Sequence, residues 1–424
     1  MRARFALLIF SAAVILCGCT PYSNSFAPIE RELIADNPQG ALEKITRNKP
    51  PDRDRLLFDL NRAMILLMIG DHDQSIMAFD DAKAAIGEFD AISVSEQVSS
   101  TLVNDGMIAY YGDDYERVYL HFYDIINYLL LGDSEGARVE TMQADERLKH
   151  IGTGRYEDDA AMLYLSGIVF EATREPENAL VAYRRAYQSY KNGFFGVAMP
   201  QSLKYDLVRL SDRLRIGNEL RQYRREFGID RVDYGKNTGE MIVIASVGLA
   251  PIKRPVDFMS VSPLGLISIS IPRYERRPRF GAPVLAIGNQ QIVMERLSDI
   301  AAIAHNTLEA KMPEIIARTT ARIVAKKGME HAAAAVGGKN DNGAGAFAKL
   351  VVGLVNIATE VADTRSWLTL PDEIYIARAH VPSGRYNVFV AMQNGVQKDY
   401  GTLEIKAGDR LLLAPNLIPR YTVR

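Results

Sequence analysis

Apolar and polar residues along the chain change rhythm twice. From Phe5 to Leu16 only Ser11 interrupts an apolar run. From about Glu30 to Phe227 apolar residues recur at helical spacing, and beyond Tyr234 they gather into short Ile- and Val-rich runs bounded by Gly and Pro. These textures predict a secretory signal, a helical region, and a region that mixes strands with helices. The expected boundaries are a signal over residues 1–18, a tether over 19–29, a helical-repeat domain over 30–230 and an α+β domain over 231–424.

The helical region repeats itself. "AMILLMIGDHDQSIMAFDDA" (63–82) and "LYLSGIVFEATREPENALVAYRRA" (163–186) share one pattern, a first helix, an acidic turn and a second helix. Gly167, Phe170, Ala179, Tyr183 and Ala186 in one copy, and Ala63, Leu66, Ser75, Phe79 and Ala82 in the other, match the small, large, small, aromatic, small positions of a tetratricopeptide repeat. A weaker copy turns at Gly132-Asp133, with Ala137 and Ala144 as its small positions. Small residues let two antiparallel helices approach, and neighbouring pairs then stack into a curved array. The turns at Gly70, Gly132 and Arg174 lie 62 and 42 residues apart. A regular repeat returns every 34 or so, so the repeats are degenerate, with an insertion around Glu88 to Asp114.

First helices line the concave face of such an array. The register puts Met64, Leu67 and Met68, then Tyr119, Phe122, Ile126 and Leu130, then Tyr164 and Ile168 on it, an unusually apolar set. Two readings stay open. The face is a groove for a peptide or amphipathic helix, with Leu67, Tyr119, Phe122, Ile126 and Tyr164 as partner-binding residues, or the protein's own C-terminal half fills it. In the same segment His121 and Asp124 fall near one helix face while Glu116 lies more than a turn away. That spacing favours hydrogen bonds between helices over a metal site.

The C-terminal half reads as strands in "GEMIVIASVGLAPIKRP" and "LGLISISIPRY", a helix from Gln291 to about Val336, a glycine loop, and a second helix from Phe347 to Ala362. Further strands follow, turning at Ser383-Gly384, Asn394-Gly395 and Ala407-Gly408. The expected fold class is therefore α+β: an all-α tetratricopeptide-like solenoid, then a mostly antiparallel sheet with an inserted helical pair. "AFAKLVVGLVNIATEVA" holds Lys349, Asn356 and Glu360, too many polar groups for a bilayer span, and reads as a core helix.

The short apolar run after Arg2 and Arg4 ends in Leu16-Cys17-Gly18-Cys19, which resembles a bacterial lipobox. The resemblance implies cleavage before Cys19, thioether lipidation and acylation (palmitate) of that residue, and, with Thr20 behind it, an outer-membrane anchor facing the periplasm. The only other cysteine, Cys17, leaves with the signal, so neither a disulfide nor a cysteine metal site is expected. Losing Arg2 and Arg4 takes the formal charge from −2 to −4, which offers no basic field for nucleic acid.

No motif names a reaction. Gly338-Lys339 lacks the upstream glycine and the Ser or Thr of a phosphate loop, and "GAGAFA" lacks the strand of a dinucleotide fingerprint. Neither HExxH nor GxSxG occurs. No catalytic residue, metal ligand or cofactor is expected.

The lipobox, the repeats with "YYGDDYERVYLHFYDIINYLLLGDSEGARVE", "GLAPIKRP", "MPEIIARTTARIVAKK" and "ADTRSWLTLPDEIYIAR" together resemble a family of proteobacterial envelope lipoproteins. Members are sometimes encoded beside activators of peptidoglycan synthases. Within the most recognisable motif, Asp363, Arg365 and the single Trp367 form either a recognition site for a sugar or peptide, or a packed junction. The expected function is a non-enzymatic, lipid-anchored periplasmic scaffold or adaptor for an envelope protein. The alternative is a glycan-binding or glycan-acting protein, with peptidoglycan as partner and Asp372 or Glu373 as acids.

Overall fold

Five residues with a left-handed backbone, Asp36, Gly70, Gly132, Arg174 and Arg215, divide the N-terminal half into antiparallel helical pairs. The structure is a computed structural model that describes residues 22–47, 50–96, 108–151, 158–262, 265–336 and 362–422. The pairs are α1 (Tyr22–Ile34) with α2 (Pro38–Arg47), α3 (Arg55–Ile69) with α4 (His72–Glu96), α5 (Asp114–Leu130) with α6 (Ser134–His150), α7 (Ala160–Ala172) with α8 (Pro176–Lys191), and α9 (Gln201–Arg213) with α10 (Gly217–Phe227). Each turn closes with the same backbone hydrogen bond, from Asn37 to Glu32, Asp71 to Leu66, Asp133 to Tyr128, Glu175 to Phe170 and Ile216 to Ser211, at 2.8–3.0 Å. This closure satisfies a carbonyl that the helix end leaves free and needs one left-handed residue.

Inside the pairs the small positions have a steric purpose. A Cβ on Gly167 would sit 2.1 Å from the Tyr183 ring, so only glycine lets α7 and α8 meet there. The central first helices are buried nearly all round, as in α3 (RLLFDLNRAMILLMI) and α7 (AAMLYLSGIVFEA). Second helices such as α6 bury one stripe, here Ala137, Glu140, Thr141, Ala144 and Leu148. The difference follows from position: a first helix lies between its neighbours and the sheet, a second helix keeps a solvent side.

The C-terminal half contributes two sheets and one isolated hairpin. Strands β1 (Thr238–Val247), β6 (Glu295–Asp299), β7 (Glu373–Pro382), β10 (Arg410–Leu413) and β11 (Asn416–Leu417) form the central sheet in the order β10-β1-β7-β6, with β11 also on β1. Among the described residues only the β1–β10 and β1–β11 pairings are parallel. Strands β4 (Val284–Ile287), β5 (Gln290–Val293), β8 (Gly384–Ala391) and β9 (Gln397–Ile405) form a second sheet, and β2 (Ile252–Ser262) pairs with β3 (Gly265–Glu275) alone. Alternation along β1 then splits the core. Ile242 and Ile244 join the main core of the helical half, while Met241 and Val243 pack against Leu285, Val388 and Val390 of the second sheet. The result is three layers, helices on sheet on sheet.

Two expectations change, and one lies outside the described residues. The tether shortens, because α1 begins at Tyr22 and buries Phe26, Ile29 and Leu33 against Ile65, Leu249 and Leu368. Residues 291–299, expected to open a helix, belong to β5 and β6, since Gln290–Val293 pairs with β4 and Glu295–Asp299 with β7. Helix α11 (Ile300–Val336) starts only at Ile300, where the Asp299 carboxylate accepts the Ala302 N–H at 2.8 Å. The second inserted helix, expected at Phe347 to Ala362, lies outside the described residues apart from Ala362.

Candidate functional site

The central sheet fills the concave face. Tyr119, Phe122, Ile126 and Tyr164 are at most 1% exposed and share one core with Ile242, Ile244, Leu297, Ile300, Ile374 and Ile376. Polar tips meet as well: Tyr119 Oη lies 2.6 Å from Ser298 Oγ, Tyr123 Oη lies 2.9 Å from Ser246 Oγ, and the Tyr190 hydroxyl donates to the Leu297 carbonyl at 2.7 Å. Of the two readings of this face, the structure takes the internally filled one. Tyr119, Phe122, Ile126 and Tyr164 therefore do not meet a partner, because an apolar face of that size is more stable against the protein's own sheet than against water. Leu67, the fifth expected contact, is 5% exposed and lies at the edge of this seal.

Asp363, Arg365 and Trp367 come together as a junction. Arg365 bonds Asp363 through Nε at 2.9 Å and Asp54 through Nη1 at 3.0 Å, donates to the Ile108 carbonyl at 2.9 Å, and lies over the Tyr110 ring. Trp367 is 1% exposed, edge-on to Phe79 and Tyr123, with its indole N–H on Thr369. Its backbone N–H donates to Glu116 at 2.7 Å, and Glu116 also accepts from Tyr110 and from the Asp113 N–H. No face of the indole is open for stacking, so the recognition reading of Trp367 is corrected to a plug between helices and sheet.

The other expected polar residues are structural too. Lys83 reaches across from α4 to Asp124 at 2.9 Å and Glu140 at 2.7 Å, while His121 bonds Glu140 at 2.8 Å, as interhelical hydrogen bonding requires. Burial, only partly offset by Lys83, pushes the Asp124 carboxyl up to about 7. Asp372 and Glu373 are 3% and 1% exposed, with Glu373 held by Arg296 and Tyr375. Burial and the neighbouring Glu373 raise Asp372 to about 7. Among the described residues no group of three or more His, Cys, Asp or Glu is arranged to hold a metal ion.

A buried ion network, invisible as a motif, clamps the last helical pairs to the sheet. Arg378 of β7 pairs with Asp206 and Glu240, and Arg209 bonds Glu171 at 2.6 Å and Asp206 at 2.8 Å. Arg410 reaches Glu240 at 2.7 Å and Glu171 at 3.3 Å. Burial alone would raise both glutamates, but the arginines outweigh it and hold Glu171 and Glu240 down at about 2. His380, stacked on Tyr234, is pushed down to about 4 by burial despite nearby Glu240.

Where the turns of the helical pairs meet the sheet edge, the seal ends and a cleft of about 870 Å³ opens. Leu33, Met68, Leu130 and Leu413 contribute apolar surface; Asp36, Gln39, Lys398, Tyr400 and Arg420 supply the polar groups. One wall is the run Leu413–Asn416, from the end of β10 into β11, and β10 is the edge of its sheet. The Asn394-Gly395 turn and β9 line it too. Among the described residues neither Lys398 nor Arg420 pairs with an acid, and Asp36 is the single acid lining the cleft. Leu67 and Met68, two of the expected concave-face residues, form part of it. The remaining lining comes from four separated segments whose proximity no local pattern announces.

No protein-family model matches the chain, and no curated protein matches it. Among solved structures, a portion of MamA from Desulfovibrio magneticus RS-1 is similar at 13% identity and a TM-score of 0.31, covering 49% of this chain and 90% of that one. The apo form of RapI is similar at 13% identity and a TM-score of 0.38, covering 55% and 60%. BtubC from P. vanneervenii is similar at 12% identity and a TM-score of 0.30, covering 47% and 75%. Likeness of this degree carries no argument about function.

Proposed function

We propose that the chain is a lipid-anchored adaptor of the bacterial envelope, held on the periplasmic face of the outer membrane through Cys19, that binds a protein partner in the rim cleft. The observation that carries the reading is the cleft itself: apolar surface, a wall that begins at the end of edge strand β10, and two cations with no acidic partner among the described residues. Such a site suits an extended peptide segment, whose main chain bonds a free strand edge while its side chains take the apolar pockets. Lys398 and Arg420 favour a segment bearing acidic residues. The role is binding, without turnover. The glycan alternative rested on Trp367 as a stacking platform and on Asp372 and Glu373 as acids, and all three are buried.

The test is site-specific photocrosslinking from Tyr400 in the anchored protein in cells. A discrete adduct that disappears in the folded Lys398→Glu, Arg420→Glu double variant is expected. An adduct pattern identical with and without the two charge reversals sinks the cleft as the binding site.

A further inference from the structure

The β2–β3 hairpin is built the wrong way round for a soluble ribbon. Its eleven register pairs run from Ile252 opposite Glu275 to Ser262 opposite Gly265, and directly opposite residues share a face. One face carries Lys253 with Tyr274, Pro255 with Pro272 and Asp257 with Ser270. That face turns toward the protein: Lys253 pairs with Asp113 at 2.7 Å, Tyr274 Oη lies 3.0 Å from Tyr115 Oη, and Ser270 is 7% exposed. The other face carries Val256 with Ile271 and Phe258 with Ile269. Those residues are half-buried or exposed, Phe258 at 53%; toward the tip the opposite face, with Asp257 and Met259, is open as well. An antiparallel ribbon with one wet face normally turns its polar side outward. Here it is the apolar side.

The start of the described chain lies on that same outward face. Ile252, at its base, packs on the α1 cluster of Phe26, Ile29 and Leu33. Two residues further out, Arg254 donates to the Asn24 side chain at 3.3 Å, so α1 runs with its N-terminus toward the hairpin tip. Cys19 precedes Tyr22 by three residues, a reach of about 10 Å at full extension. Lipid on Cys19 would therefore lie within about 10 Å of the start of α1, which adjoins the outward face at Arg254. Behind the apolar patch stand Arg254, Arg273 and Glu275 at the hairpin base, charged groups suited to headgroup depth.

We propose that the outward face of the β2–β3 hairpin lies against the lipid surface in which Cys19 is anchored, as a second membrane contact that fixes the protein's orientation. The proposal rests on the anchor reading and is independent of the rim cleft. The occupant is lipid because the anchor and the apolar face share one side. The contact is interfacial and requires no spanning element; no helix among the described residues is long and apolar enough to cross a membrane.

Once the signal is removed and Cys19 is lipidated, the chain has no other cysteine, so single thiols can be introduced cleanly. Full-length lipidated protein carrying Phe258→Cys or Asp257→Cys, labelled with an environment-sensitive dye, is incorporated into vesicles of phosphatidylethanolamine and phosphatidylglycerol. The dye at 258 should be quenched several-fold more by nitroxide lipids than the dye at 257, with the order reversed for aqueous iodide. Equal access of both positions to iodide, in protein that floats with the vesicles, overturns the proposal and leaves the anchor intact. Protection from iodide without quenching by nitroxide lipids means that a second protein surface covers the hairpin, and also overturns it. Failure to float, with no palmitate on Cys19, removes the anchor and the proposal together.

Discussion

In β1 every residue from Gly239 to Val247 is buried, whereas Asp257, Phe258 and Met259 of the neighbouring hairpin are all open to solvent. Both stretches are rich in β-branched and aromatic residues, and both follow the strand alternation. The difference lies in what their faces meet. Central strand β1 has helices on one side and a second sheet on the other, so both its faces are apolar. The hairpin is covered at its base, by α1 on one face and by Asp113 and Tyr115 on the other, while Val256, Phe258, Ile269 and Ile271 further out are half-buried or exposed. Composition tells a strand from a helix, but only the packing partner tells a core strand from a surface strand whose apolar face awaits a surface of its own.

Placing the same charge in both regions separates them most sharply. Ile244→Asp puts a carboxylate among Ile242, Ile374 and the helical core, where nothing bonds it; a loss of more than about 4 kcal/mol is expected, read as failure to recover soluble folded protein. Next in size is Arg378→Ala. It leaves Asp206 and Glu240 buried without their main counter-charge, and urea unfolding should register a loss of about 3–5 kcal/mol.

The same network gives an acid limb. Glu171 and Glu240 sit below their ordinary 4.5, so the stability they bring is complete above that value and is lost as pH falls toward 2, by about 3 kcal/mol for either carboxyl. His380, pushed down to about 4, stays neutral in the fold while the unfolded chain takes up a proton below 6.5, so stability is also lost from 6.5 downward. Asp124 and Asp372, raised to about 7, act oppositely: their contribution is full below 3.8 and lost as pH rises to 7. Glu240→Gln should flatten the urea-measured limb below pH 4.5 while leaving the slope between 4.5 and 7 in place. An unchanged limb below 4.5 would mean that Glu240 is not what titrates.

Local signals were legible where geometry demands one residue type. Gly70 and Gly132 mark turns because glycine enters the left-handed region freely, and Gly167 with Tyr183 marks a close approach that the structure contains. The first and last pairs lack such a mark: Asp36 and Arg215 take the same conformation without being glycine, as Arg174 does, but the small and aromatic positions that flag the Arg174 pair are missing beside them, and Pro28 sits within α1. What covers the concave face could not be read from residues 60–170, since the covering residues lie beyond 240. Arg378 and Glu240 look like ordinary polar strand positions until Asp206 and Glu171 are brought beside them. The rim cleft escaped for the same reason, its walls coming from helix ends up to Leu130 and from a turn and strands that begin only at Asn394.

The smallest expected effect on stability is the most informative about the hairpin. Phe258→Asp removes an apolar side chain that is already half in water and breaks no hydrogen bond of the fold, so its cost should stay within about 0.5 kcal/mol by urea unfolding. The contrast with Ile244→Asp is then a contrast of surroundings alone. If the hairpin were held by burial of its outward face within the same molecule, Phe258→Asp would approach the core substitution in cost. A near-silent substitution that nevertheless loosens the protein's fixed orientation on vesicles places the free energy of that face outside the chain, in the surface that it touches.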